Sequence, residues 1–322
     1  MLRTFVQGVV AWHHVDAQMR VNHAEEIDPV TNRSGALRYP AELYDAYVFD
    51  LDGTIYLGDE LLPGAARLIG ELRRRNIPVR FLSNNPTKDP GQYATKLAHL
   101  GVPTDVADIA NTVVTTVAWL TRHHPEAVVF PIAEEPLSRA LAAAGIRMSE
   151  DPAEIDIVIA SYDRQFDYRK LQIAFDALWF HQRAFLIQTN PDRFCPFPGG
   201  RGEPDSAAIT AAIEACTGVT CQQSLGKPDP IMLHTVMATL PEATLERSVM
   251  VGDRLQTDIR MARDAAMVSA VVLTGEATAA DVAALPAAEA PTLVLDRIDR
   301  LLPPAVWEER GWSDSDPDGR RD

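Results

Sequence analysis

Ala46-Tyr47-Val48-Phe49-Asp50-Leu51-Asp52-Gly53-Thr54 is an apolar run that breaks into two carboxylates, a glycine and a threonine. That is the pattern of a buried strand running out into a turn. Working outward, Pro63 opens a predicted helix that ends near Arg75, and residues 79–82 form a second strand ending in Ser83-Asn84-Asn85. A helix over 92–100 follows, stopped by Gly101. Alternation resumes with helices over 113–123, 137–144, 168–181 and 206–216, separated by strands over 127–132, 155–160 and 184–188. Beyond Gly226-Lys227-Pro228 come a helix over 230–240, a strand over 248–251, the loop Gly252-Asp253-Arg254-Leu255-Gln256-Thr257-Asp258, a helix to 267 and a strand over 270–273. Residues 292–302 add one more strand and helix. Such alternation predicts an α/β protein with a Rossmann-like, doubly wound parallel sheet.

The chain divides accordingly. Residues 1–45 lack a sustained period and read as an N-terminal extension; 46–103 and 221–302 read as a discontinuous core domain. Residues 104–220 have strands and helices of their own and read as an inserted α/β cap domain, with 303–322 as a disordered, polar and acidic tail. The length of 322 residues and 46% apolar content suit an ordinary folded protein. Thirty Lys and Arg against 45 Asp and Glu leave a formal charge of −15, a field that repels phosphate backbones and anionic lipid, so neither nucleic acid nor membrane is an expected partner. Cys195, Cys216 and Cys221 match neither a paired disulfide framework nor a zinc site, and the expected location is the cytoplasm.

The chemistry-bearing side chains follow apolar strands or sit in loops: Asp50 and Asp52, Ser83, Lys227, and Asp253 with Asp258. In a parallel sheet the carboxyl ends of the strands line one crevice, so residues about 200 positions apart converge there. Two carboxylates two residues apart on an extended strand end point to the same side. At ~4 Å they repel by ~4 kcal/mol at an effective dielectric of 20, so a cation is needed. Asp253 offers a third oxygen, and an all-carboxylate site with room for water and phosphate suits Mg²⁺. One of the first pair can act as nucleophile and its neighbour as general acid and base. Lys227, the Ser83 hydroxyl and the backbone N–H groups of Leu51, Asp52 and Asn84 can bind the phosphoryl oxygens. The sum is a metal-assisted phosphatase with an aspartyl-phosphate intermediate.

Asp50-Leu51-Asp52-Gly53-Thr54, Ser83-Asn84-Asn85, Gly226-Lys227-Pro228 and Gly252-Asp253-Arg254-Leu255-Gln256-Thr257-Asp258-Ile259, in that order, resemble the four motifs of the haloacid dehalogenase superfamily. The finer pattern resembles subclass IIA, the NagD-like, para-nitrophenylphosphatase and phosphoglycolate-phosphatase group, over roughly residues 46–302. The resemblance implies Asp50 as nucleophile and Mg²⁺ ligand, Asp52 as general acid and base binding the metal through its backbone carbonyl, Asp253 as direct ligand and Asp258 as outer-shell ligand. It also implies that Ser83, Asn84 and Lys227 hold the phosphoryl group, that the cap is of the large α/β type inserted between the second and third motifs, and that copies pair as a homodimer through it. The expected substrate is a small phosphorylated metabolite such as a sugar phosphate, phosphoglycolate or a nucleoside monophosphate. Ser161-Tyr162-Asp163 stands where the family has Gly-Leu-Asp, and Glu203-Pro204-Asp205-Ser206-Ala207 where it has a glycine-rich turn.

Blander readings accompany these. Asp258 can serve as a helix N-terminal carboxylate. Asn190 and Asp192 can contact substrate from the cap or make an Asx turn around Pro191. Trp179 and Phe180 read as core packing and Cys216 as a small buried hydrophobe. The competing function is a non-catalytic phospho-ligand-binding or regulatory protein on the same fold, which the presence of both Asp50 and Asp52 disfavours.

Overall fold

The computed structural model describes residues 30–31, 37–197 and 200–314. Two stretches of alternating strand and helix build two sheets. The larger runs in the order Val30–Thr31, Arg38–Tyr39, Leu293–Leu295, Val268–Val272, Ser248–Gly252, Ala46–Asp50, Val79–Ser83, Ile109–Asn111. From Leu293–Leu295 onward every pairing is parallel, whereas Arg38–Tyr39 pairs antiparallel with Leu293–Leu295 and Val30–Thr31 closes that edge, again antiparallel.

Ala46–Asp50 lies in the middle and is buried throughout. Because side chains alternate along a strand, Tyr47 and Phe49 face one layer, where they meet Leu68, Ile69 and Leu72 of the helix Ala65–Arg74. Val48 faces the other layer with Met250, Met232, Leu233 and Met261. Each such side chain withdrawn from water contributes roughly 1.5–3 kcal/mol. Register then sets the position of the chemistry: Phe49 pairs with both Phe81 and Val251, and Asp50 with Leu82. Asp50, Ser83 and Asp253 therefore emerge side by side at the carboxyl edge of three neighbouring strands.

The second sheet, parallel throughout, runs Gln223–Ser224, Phe185–Gln188, Ile157–Ala160, Val128–Ile132, Arg147–Met148. It carries its own apolar layers. Val158 and Leu186 pack with Ile173 and Ile209, while Ile157 and Ile187 pack with Leu120 and Leu137.

Four boundaries differ from the sequence reading. Ile109–Asn111, assigned to the insert, forms the edge of the core sheet, and Gln223–Ser224, assigned to the core, pairs with Phe185–Gln188 in the second sheet. Both strands are too short to show a period of their own. Within the supposed extension, Arg38–Tyr39 joins the core sheet and Tyr44 is buried; most of 1–36 lies outside the described residues. Within the supposed disordered tail, Pro304–Arg310 is a helix held by Trp307 and Trp312, while 315–322 lie outside the described residues. Trp179 and Phe180 are exposed rather than core, because Asp176–Phe180 adds a wider helical turn, closed by the His181 N–H on the Asp176 carbonyl, that rotates them off the buried stripe. Cys216 is exposed as well. No helix among the described residues is long and apolar enough to cross a membrane.

Candidate active site

Asp50 ends its strand with its carboxylate nearly buried, and the Lys227 ammonium lies against its Oδ1. The same ammonium reaches Asp258 Oδ1 at 2.7 Å. Carboxylate oxygens of Asp50, Asp253 and Asp258 lie within 4.8 Å of one another. Burial pushes the Lys227 pKa down, but the charges of Asp258 and Asp50 outweigh it and the net shift is upward, so the lysine stays cationic. Burial, only partly offset by Lys227, raises the Asp258 pKa. Burial first and the Asp50 charge second push Asp253 up to about 6.

Asp253 is wrapped by backbone. Its Oδ2 accepts the Glu276 N–H at 2.8 Å, and its buried Oδ1 has no hydrogen-bond partner among the described residues. A Cβ on Gly53, whose φ is +84°, would fall 2.7 Å from Asp253 Cγ, and one on Gly275 would fall 2.6 Å from it. The turn after Asp52 and the loop after strand Val268–Val272 are thus glycine where Asp253 comes closest. Thr274 Oγ1 donates to the Gly53 carbonyl at 2.8 Å and ties the two loops together. Three carboxylates set against one ammonium, with a buried oxygen unpartnered, fit an additional cation held by oxygen ligands.

Asp52 is exposed to the cleft, in a turn where the Gly53 N–H donates to the Tyr56 carbonyl at 2.8 Å. Lost hydration against the surrounding protein first, and the Asp50 charge second, raise its pKa against the pull of Lys96, Arg254 and Lys88. Ser83 Oγ lies 3.0 Å from the Tyr93 hydroxyl and accepts the Asn85 N–H at 3.2 Å. The Asn84 carboxamide is committed to protein: Oδ1 accepts the Lys227 N–H at 2.8 Å, and Nδ2 donates to the Lys227 carbonyl at 3.1 Å and to Asp192 Oδ2 at 2.9 Å.

Asn190 makes the Asx turn. It is fully buried, with Oδ1 accepting the Asp192 N–H at 2.9 Å in the Asx turn and Nδ2 donating to the Asn84 carbonyl at 3.2 Å. Asp192 is half-buried and turned to Asn84. Two contributors escaped the sequence reading. Tyr93, on the helix Pro90–His99, holds Ser83, and its signal is only one more aromatic on an apolar face. The Thr274-Gly275-Glu276 loop was findable, since it too follows a strand of the parallel sheet at the carboxyl edge.

Comparison with known proteins identifies the family. The family model of haloacid dehalogenase-like hydrolases matches residues 47–147, and a second model of the same kind matches 224–301. An acid sugar phosphatase of Staphylococcus saprophyticus is 36% identical over 219 residues, covering 67% of this chain and 81% of its own. Among solved structures, 4-nitrophenylphosphatase from Thermotoga maritima superposes with a TM-score of 0.74 at 31% identity, over 80% of this chain and 96% of that one. A thermostable NPPase from Geobacillus stearothermophilus gives 0.70 at 33% identity, over 80% and 97%. With fold, motif order and sequence similarity in agreement, the chain belongs to the haloacid dehalogenase-like hydrolases, within subclass IIA.

Proposed function

We propose that this hydrolase is a Mg²⁺-dependent phosphomonoesterase that works through an aspartyl-phosphate on Asp50. The observation that carries the reading is the single Lys227 ammonium shared by Asp50 and Asp258 beside the unpartnered Asp253 oxygen. Asp50 and Asp253, with the Asp52 backbone carbonyl and with Asp258 behind them, would hold Mg²⁺, which when bound offsets charge on the phosphoryl oxygens.

This chain's own residues do the rest. Lys227 engages Asp50 Oδ1 and fixes the carboxylate, so Oδ2 is the oxygen that attacks phosphorus as the bond to the leaving oxygen breaks. Asp52, with its pKa raised, delivers its proton to that leaving oxygen. The resulting Asp52 carboxylate then takes a proton from water, whose oxygen attacks the phosphoaspartate, releasing inorganic phosphate and restoring Asp50. Ser83, placed by Tyr93, and the backbone N–H of Asn84 bind the equatorial oxygens.

The second sheet, as a cap over the cleft, would restrict substrates to small phosphorylated metabolites such as sugar phosphates, phosphoglycolate or nucleoside monophosphates. The names of the acid sugar phosphatase and nitrophenylphosphatase relatives support that range. Exposed Trp179 and Phe180 support pairing of two copies through this layer, and three free cysteines support a reducing, cytoplasmic setting. The test is hydrolysis of para-nitrophenyl phosphate: turnover appears with Mg²⁺, disappears with EDTA, and falls by about 10⁴-fold or more in Asp50→Asn. Undiminished turnover in that variant removes the covalent mechanism.

A further inference from the structure

Asn84 and Asp192 sit on different sheets, and between them runs a hydrogen-bonded crossing directly behind the reacting groups. Asn84 follows the core strand Val79–Ser83, whereas Asp192 follows the second-sheet strand Phe185–Gln188. The Asn84 carboxamide bonds the Lys227 backbone on both its N–H and carbonyl, then gives its remaining N–H to Asp192 Oδ2 at 2.9 Å. Around this contact the packing leaves no slack: a Cβ on Gly226 would lie 2.7 Å from the Thr189 carbonyl and 2.8 Å from Asn84 Oδ1. The Asn84 carbonyl is held as well, by Asn190 Nδ2 at 3.2 Å and Thr112 Oγ1 at 3.0 Å. An amide with one N–H removed from its acceptor can rotate about its terminal torsion, which is broad. Rotation would release both bonds to Lys227 together.

We propose that Asp192 is a positioning residue: it locks the Asn84 carboxamide from the second sheet and thereby fixes the backbone of Lys227, whose ammonium orients Asp50. Its acceptor oxygen carries this role, and its charge does not. Three features point this way rather than to substrate contact. The Asp192 oxygen is already bonded to protein, its own N–H is tied into the Asx turn, and the neighbouring Asn190 is fully buried.

The kinetic arm of the test rests on the phosphatase reading; the exchange arm does not. Asp192→Ala lowers kcat about tenfold and changes KM less than twofold, while Asp192→Asn, whose amide oxygen still accepts from Asn84, keeps kcat near the wild-type value. In hydrogen exchange, amides of the 225–229 segment lose protection in Asp192→Ala and retain it in Asp192→Asn, with or without turnover. Three results overturn the inference: a rise in KM at constant kcat, equal impairment of both variants, or unchanged protection in Asp192→Ala. If wild-type protein shows no phosphatase activity while the exchange pattern holds, the clasp stands and the enzymatic reading falls.

Discussion

Two buried ion clusters flank the core sheet, and their charges are balanced differently. At the carboxyl edge, one ammonium, Lys227, faces three carboxylates, Asp50, Asp253 and Asp258. Elsewhere, one carboxylate, Asp299, faces two guanidiniums: Arg67 Nη1 at 3.2 Å and Arg297 Nε at 2.6 Å. The guanidiniums there lie over aromatic faces, with Arg67 5.1 Å from the Trp307 ring and 5.0 Å from the Trp312 ring, and Arg297 5.7 Å from Trp307. Asp314 Oδ1, 3.8 Å from Arg297 Nη2, adds a second carboxylate, so the positive charge there is met within the protein, although Arg67 Nε and Arg297 Nη2 have no hydrogen-bond partner among the described residues. The first keeps three carboxylates against one ammonium, and on the proposed reading a bound cation offsets the excess. A buried cluster whose charges balance holds a fold together; one left unbalanced at a strand edge is a candidate site.

The difference can be broken first at the site. Asp52→Asn keeps the size of the side chain and removes the proton that the proposed mechanism has it deliver, so kcat falls by about 10²–10⁴-fold while KM moves little. The pH profile supplies a second readout. A raised Asp52 pKa keeps the acid protonated to higher pH than an ordinary aspartate, and kcat/KM falls on the alkaline side as the proton is lost. In Asp52→Asn that alkaline limb disappears; an unchanged limb, or equal losses in kcat and 1/KM, argues against the acid role.

The asymmetry between the clusters also explains what could be read from sequence. Asp50, Ser83, Lys227 and Asp253 each follow an apolar strand or sit in a loop at its end, and the parallel sheet delivers strand ends to one edge, so a local pattern was enough. Arg67 and Asp299 lie 232 residues apart on helical segments, and nothing local distinguishes either from a solvated surface charge. Their partners Trp307 and Trp312 stood in a stretch whose acidic composition suggested disorder, although two tryptophans so close to the apolar end of the core outweigh, in burial energy, the charges around them. The glycine signals were similarly split. Gly53 belonged to a motif, whereas Gly275 is required only because Asp253 arrives from another strand, a contact that tertiary geometry alone creates. The commitment of the Asn84 side chain to Lys227 and Asp192 was not legible, because hydrogen-bond direction is not written in residue spacing.

A smaller effect tests the balanced cluster. Asp299→Ala leaves Arg67 buried without its carboxylate and destabilises the protein by about 3–5 kcal/mol in urea unfolding. Its folded fraction turns over substrate with wild-type kcat, since Asp299 touches none of the reacting groups. Loss of kcat without loss of stability would erase the distinction between the two clusters.

Asp205 provides the intermediate case, a buried acid that makes no ion pair among the described residues. It accepts the Ser206 N–H at 2.6 Å and lies 3.4 Å from Asn190 Nδ2, yet burial first, with the Asp192 charge adding to it, pushes its pKa up from 3.8 to about 6. A folded-state pKa above the unfolded value means that the native state binds the proton more tightly. The associated stability is fully present below pH ~4 and is lost as pH rises through 6, amounting to at most about 3 kcal/mol. Asp205→Asn keeps the oxygen that accepts from Ser206 and removes the titration. Urea unfolding from pH ~4 to pH ~7 should therefore show a shallower decline in the variant than in the wild type, with the two curves crossing so that the variant is the more stable above pH ~6. Parallel curves would mean that the Asp205 carboxylate bears no penalty for burial, and that an acid in the second sheet can lack a cation without cost, unlike the one at Asp253.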